Sequence, residues 1–162
     1  LEIEKREGIL VEALKVIEPR LSRVAVVARG GEAILYGDVG SGRLLPLPIM
    51  GEGMSRLATI IITLASTRDG VVLIDEVENG FHHTVLKAVW EVISQVARQL
   101  SVQVFATTHS LECVASAQKV FIDSTPYDLR VHRIDRSDGV YKIASYDQET
   151  IEAALSEGLE IR

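Results

Sequence analysis

Apolar residues recur along this chain at two different periods, and the changes between them mark its elements. Ile9, Leu10, Ala13, Leu14 and Ile17 fall at helical spacing, with Pro19 closing that helix. RVAVVAR (23–29) and EAILYGDV (32–39) read as strands around a Gly30-Gly31 turn. RLLPLPIM (43–50) is predicted to be extended, and its two prolines restrict it to an edge strand or an irregular segment. A helix is predicted from Ser55 to about Ser66, followed by VVLIDE as a short apolar strand. Thr84 to Leu100 carries the clearest helical pattern, with Leu86, Val89, Trp90, Ile93, Val96, Ala97 and Leu100 on one face. VQVFATTHS is the next strand, and a short helix starts at Leu111. KVFID, DLRVHRI and VYKIAS are predicted as three further strands, with Asp138-Gly139 as a hairpin turn. QETIEAAL is a last helix, stopped near Gly158.

The middle of the chain is therefore strand, helix, strand, a unit that is parallel and right-handed. Its strands are continuous apolar runs, the pattern expected when both faces of a sheet are covered. The expected fold class is α/β, a mostly parallel sheet flanked by helices with a C-terminal β-hairpin. One domain is expected over 1–162: a helix and antiparallel strands in 1–50, an α/β core in 51–123, and a hairpin with a helix in 124–162.

Composition narrows the function classes. The 162 residues are 47% hydrophobic and 25% charged, which suits a globular domain with a sizeable core. A net charge of −6 argues against a general polyanion-binding surface, so nucleic acid would have to be met through other regions. The single cysteine, Cys113, permits no disulfide within the chain, reads as a small core residue and suits a cytoplasmic location. The longest apolar run, LATIIITLA, is too short to span a bilayer, and no membrane partner is expected. The chain begins at Leu1 without a methionine, which hints at a piece of a longer protein.

Four stretches carry candidate chemistry. GDVGSGRL (37–44) has the glycine spacing of a phosphate-binding loop. Arg43 stands in the lysine position, however, and Leu44 where a magnesium-binding hydroxyl belongs. A working loop leads straight into a helix, and here two prolines follow, so the stretch reads as a strand–turn–strand connection. In VVLIDEVENG, Asp75 and Glu76 end an apolar parallel strand, the sheet edge at which ligands bind. One carboxylate there can hold magnesium, directly or through water, and its neighbour can orient a water for attack on a phosphoryl group. The bland alternative is a strand that ends in two solvated acids. In VQVFATTHS, His109 lies at the end of the next strand and so at the same edge; its plainer reading is a helix cap. In MGEGMSRL, Gly51 and Gly53 bracket a helix start whose free amides suit an anion, or simply an ordinary loop-to-helix junction. His82-His83 diverge around a helix start and lack further converging ligands for a metal.

Taken in order, these motifs resemble the ABC-type ATPases, and within them the RecF/SMC-like AAA proteins related to the overcoming-lysogenization-defect family. MGEGMSRL is similar to their signature motif, VVLIDE to Walker B, ENGFHH to the D-loop and ATTHS to the H-loop. The resemblance implies a P-loop NTPase-like, partial ATPase domain that uses ATP and magnesium. Asp75 would support the magnesium shell, Glu76 would be the catalytic carboxylate and His109 the switch histidine. Asn79 and Gly80 would line a dimer interface. Gly51, Gly53, Ser55 and Arg56 would approach the γ-phosphate held by the opposite subunit, although Gly51 replaces the usual signature serine.

By the same resemblance the phosphate-loop half is missing from this chain, and its strand would sit between VQVFATT and KVFID. The implied partners are that N-terminal half and a second copy in a head-to-tail dimer, serving DNA repair or phage defence. Two other classes compete. A non-hydrolysing binding module would only pair with its complementary half or with itself. A superfamily-2 helicase core would explain DEVE and ATT, but it requires a downstream Q-x-x-G-R-x-G-R motif that this sequence lacks.

Overall fold

The computed structural model describes residues 3–29, 31–137, 139–158 and 161. Helix α1 (Ile3–Leu14) turns Leu10, Val11, Ala13 and Leu14 inward. Strands β1 (Arg23–Arg29) and β2 (Glu32–Asp38) pair antiparallel, with Val26 opposite Leu35. Gly30 of their turn lies outside the described residues. The two-residue β3 (Leu45–Pro46) pairs antiparallel with β2, so GDVGSGRL is the β2–β3 connection. Asp38 Oδ1 accepts from the Gly40 N–H at 2.9 Å, and Gly40 and Gly42 take φ values of 74° and 78°, a region that favours glycine. RLLPLPIM is only briefly extended. Beyond β3 it closes into a 3₁₀ turn, Leu47–Met50, with Pro48 in the first turn, where its missing N–H costs nothing.

Helix α2 (Glu52–Ser66) begins before Ser55 and supplies the centre of the main core: Met54, Leu57, Ile61 and Leu64 are all 0% exposed. It packs between α1 and α3 (Leu86–Gln99), the helix crossing over between β4 (Val71–Ile74) and β5 (Gln103–Ala106). The two strands are parallel, in register from Val71 opposite Gln103 to Ile74 opposite Ala106. Helix α4 (Leu111–Phe121) follows, then the antiparallel hairpin of β6 (Val131–Ser137) and β7 (Val140–Tyr146), and α5 (Gln148–Glu157). Asp138 of the hairpin turn lies outside the described residues. A second, smaller core joins Val114 of α4, Ile151 and Ala154 of α5, and Ile161.

Three expectations are corrected. The sheet is not mostly parallel: the described strands form three small sheets, and β4–β5 is the parallel pair among them. KVFID is not a strand, since Lys119, Val120 and Phe121 complete α4. The spacing Cys113, Val114, Ala117, Phe121 continues a helical apolar face through that run, and the helix won over the local β-propensity. Among the described residues no strand therefore flanks β5 on that side. The β4–β5 pair is also covered on one face alone. Val72 and Ile74 are buried at 4% and 7%, while Val71, Leu73 and Phe105 remain 55%, 77% and 51% exposed.

Candidate functional site

The strand ends place Asp75 and Thr107 side by side. Alternation carries the bare face from Val71 and Leu73 to Asp75, and from Gln103 and Phe105 to Thr107, all exposed. The ladder continues one step beyond β4 and β5: the Thr107 N–H donates to the Ile74 carbonyl at 2.9 Å, and the Val77 N–H to the Thr107 carbonyl at 3.0 Å. Thr107 Oγ1 donates to Asp75 Oδ1 at 2.6 Å and accepts from the Glu76 N–H at 2.8 Å. Glu76 has φ 45°, a left-handed backbone that non-glycine residues adopt only where the surroundings hold it. The half-buried Glu76 carboxylate accepts from the Asn79 side-chain amide through Oε2.

The rest of the ENG turn faces two other predicted segments. Glu78 Oε1 accepts from the His109 backbone N–H at 2.9 Å, which ties the turn to the end of β5. Ser110 caps α4 by accepting from the Cys113 N–H at 3.1 Å, so His109 stands just before that helix. On the other side, a Cβ added at Gly53 would lie 2.9 Å from the Gly80 carbonyl oxygen. The start of α2 and the ENG turn therefore meet backbone to backbone. Gly51 is the N-cap of α2 at φ 120°, with no side-chain cap on the first-turn amides.

Ser55 and Arg56 point inward. Ser55 Oγ is closed off from solvent, and together with Arg56 Nε and Glu78 Oε2 it has no hydrogen-bond partner among the described residues. The Arg56 guanidinium is used within the chain: Nη2 donates to the carbonyls of Asp75 and, at 3.3 Å, Glu76. Of the four residues predicted to approach a γ-phosphate, Gly51 and Gly53 present backbone at the start of α2, while the Ser55 hydroxyl and the Arg56 guanidinium are turned into the chain. Cys113 is fully buried, and burial pushes its thiol pKa up, against weaker opposing contacts from Thr108 and Trp90.

The family described as "AAA domain, putative AbiEii toxin, Type IV TA system" matches residues 2–115 of this chain. The chain belongs to that AAA family. All of the candidate residues, from Gly51 to His109, lie inside the matched region of the AAA domain. An uncharacterized protein of Methanocaldococcus jannaschii, MJECL11, is 34% identical over 65 residues, which is 40% of this chain and 57% of that protein. The match thus spans little more than half of that curated relative.

Among solved structures, the fold is similar to SMC ATPase heads. One comes from a study of ATP-driven dimerization and DNA-stimulated activation of SMC ATPases. It has a TM-score of 0.63 at 16% identity, over 95% of this chain and 91% of that one. The SMC head bound to the C-winged helix domain of ScpA also gives 0.63 at 16%, over 94% of this chain but 44% of its own. The Pyrococcus yayanosii SMC head with a coiled coil and joint gives 0.63 at 17%, over 96% and 29%. At this level of identity the likeness establishes the fold alone, that of an SMC ATPase head.

The donor set of the AAA domain fits a share of a magnesium site. Asp75 offers a hard oxygen ligand at this edge, with Glu76 beside it, and magnesium is commonly held by one or two carboxylates, several waters and substrate phosphates. Among the described residues no cluster of three or more His, Cys, Asp or Glu could hold a metal. Sequence reasoning missed Thr107 and Glu78 as parts of this site. Aligning VLID with VFAT as parallel neighbours would have set Thr107 beside Asp75, because the register runs Ile74 to Ala106.

Proposed function

We propose that this chain is the C-terminal, carboxylate-bearing part of a magnesium-dependent ATPase of the ABC/RecF/SMC-like class, related to the overcoming-lysogenization-defect proteins. The reading rests on one observation: the bare apolar face of β4–β5 runs without interruption into Asp75, with Glu76 and the His109 segment at the same edge. A parallel pair needs cover on both faces. The N-terminal phosphate-loop half is the polypeptide that would cover this face and bring a nucleotide to Asp75.

In this reading Asp75 supports the metal's water shell. Bound magnesium would neutralise charge on the β- and γ-phosphates of ATP. Glu76 orients the attacking water and accepts its proton, with Asn79 steadying the carboxylate. His109 donates to a γ-phosphate oxygen and registers its loss. The backbone around Gly51 and Gly53 and the turn at Asn79 and Gly80 meet the opposite subunit of a head-to-tail dimer. Hydrolysis then resets a nucleic-acid clamp or partner in DNA repair or phage defence, in a cytoplasmic setting. No described helix is long and apolar enough to cross a membrane.

The test is magnesium-dependent ATP hydrolysis by this chain, alone and combined with the phosphate-loop half. Turnover in the combination, lowered roughly 10²–10⁴-fold by Glu76→Gln, supports the reading. A proven assembly without turnover favours a second reading, a non-hydrolysing pairing module, for which the same bare face would be the docking surface.

A further inference from the structure

We infer that Thr107 is the positioning residue of this site: it orients the Asp75 carboxylate and fixes the backbone turn that carries Glu76. The inference rests on the ATPase reading above.

A threonine hydroxyl has one proton to give and lone pairs to receive. The Glu76 N–H can only donate, so at 2.8 Å it fills a lone pair of Thr107 Oγ1. The single hydroxyl proton is then directed to Asp75 Oδ1, 2.6 Å away, a length typical of a charge-assisted bond to a carboxylate. The other carboxylate oxygen, Oδ2, is the one this bond leaves to a metal-bound water. The backbone of the same residue holds Ile74 and Val77, through its N–H and its carbonyl. Thr107 alone therefore grips four consecutive residues, from the end of β4 to the turn.

Glu76 sits in the middle of that grip at φ 45°, a conformation L-residues leave unless held. Arg56 and the Asn79 N–H also hold this turn, through the carbonyls of Asp75 and Glu76, but neither bonds the Asp75 carboxylate, which is the part of the function Thr107 carries. Partners of metal ligands act in this way, by fixing which oxygen faces the ion and at what angle.

The experiment uses the assembled ATPase, this chain with its phosphate-loop half, and Mn²⁺ as a paramagnetic substitute for magnesium. Binding of Mn²⁺ in the presence of ATP is followed by electron paramagnetic resonance, and kcat and KM are measured on the same samples. Thr107→Val keeps the shape and removes the hydroxyl; it is expected to weaken Mn²⁺ binding roughly 10–100-fold and lower kcat by a similar factor. Binding of ATP without metal stays as in the unaltered protein. Thr107→Ser, which retains the hydroxyl, restores most of both, and Thr107→Ala is run as a second deletion in case valine disturbs assembly.

Unchanged Mn²⁺ affinity in the valine and alanine variants overturns the inference, as does a serine variant no better than valine. Asp75→Asn separates this failure from that of the ATPase reading. Weakened Mn²⁺ binding in Asp75→Asn alone removes Thr107 from the site. No weakening in either removes the ATPase reading and the inference with it.

Discussion

The described residues include two isolated two-stranded sheets, and both display large apolar side chains to solvent. In β4–β5 these are Val71, Leu73 and Phe105; in β6–β7 they are Ile134, Val140, Tyr141 and Ile143. Their surroundings differ. The first pair is parallel, is packed on its other face by the main core, and leads into Asp75 and Thr107. The second is an antiparallel hairpin that shields part of its own surface, with the Arg136 guanidinium 5.7 Å from the centre of the Tyr141 ring. A hairpin can stand with one face in water, whereas a parallel pair belongs inside a larger sheet. Exposure alone therefore does not distinguish the two sheets; strand direction and what each face leads into do.

The contrast can be broken at several strengths. Leu57, fully buried on α2 in the main core, carries the largest expected effect. Leu57→Ala should cost about 2–5 kcal/mol in urea unfolding, with the spread set by how far the cavity collapses.

Charges on the bare face come next. Leu73→Lys and Phe105→Lys should change the stability of the chain by no more than about 0.5 kcal/mol, because both side chains already meet water. The same changes should abolish co-elution with the phosphate-loop half on size-exclusion chromatography. Ile143→Lys on the hairpin should leave co-elution intact; if it disrupts assembly equally, the distinction between the two sheets is lost.

Smaller effects belong to surface contacts on the hairpin side. Arg98 of α3 makes a two-pronged bond to Asp128 ahead of β6, at 2.6 and 2.9 Å. Both partners are exposed, so Arg98→Ala should cost about 1 kcal/mol or less, and less still at high salt. Asp147 caps α5 in a reciprocal arrangement with Thr150. Bonds from the Thr150 side chain and then its backbone hold the Asp147 carboxyl below its ordinary pKa. Its contribution is thus present above the usual carboxylate range and is lost as the pH falls through the lowered value. Asp147→Ala should lower the melting temperature slightly at neutral pH, and the difference from the unaltered chain should vanish in acid.

Much of this was legible in residue patterns. The apolar face of α3 and the strand–helix–strand unit follow from periodicity, and that unit puts Asp75 and His109 on one edge. KVFID was misread because a short apolar run fits a strand or the last turn of a buried helix equally well. The bare face was hidden for a different reason. Val71, Leu73 and Phe105 have the composition of covered strand residues, and composition alone does not tell a bare face from a covered one. Thr107, Glu78 and the inward turn of Arg56 depend on register and on contacts between segments distant in sequence, which spacing alone does not encode.

The contact between Gly53 and Gly80 has a mechanical consequence. Two backbones touch there with no side chain between them, so nothing compressible separates the first turn of α2 from the ENG turn. The two parts behave like meshed gear teeth without backlash. A shift of the helix start would meet the turn directly, and Glu78 links that turn to the backbone of His109. Even a methyl group at position 53 would force the teeth apart.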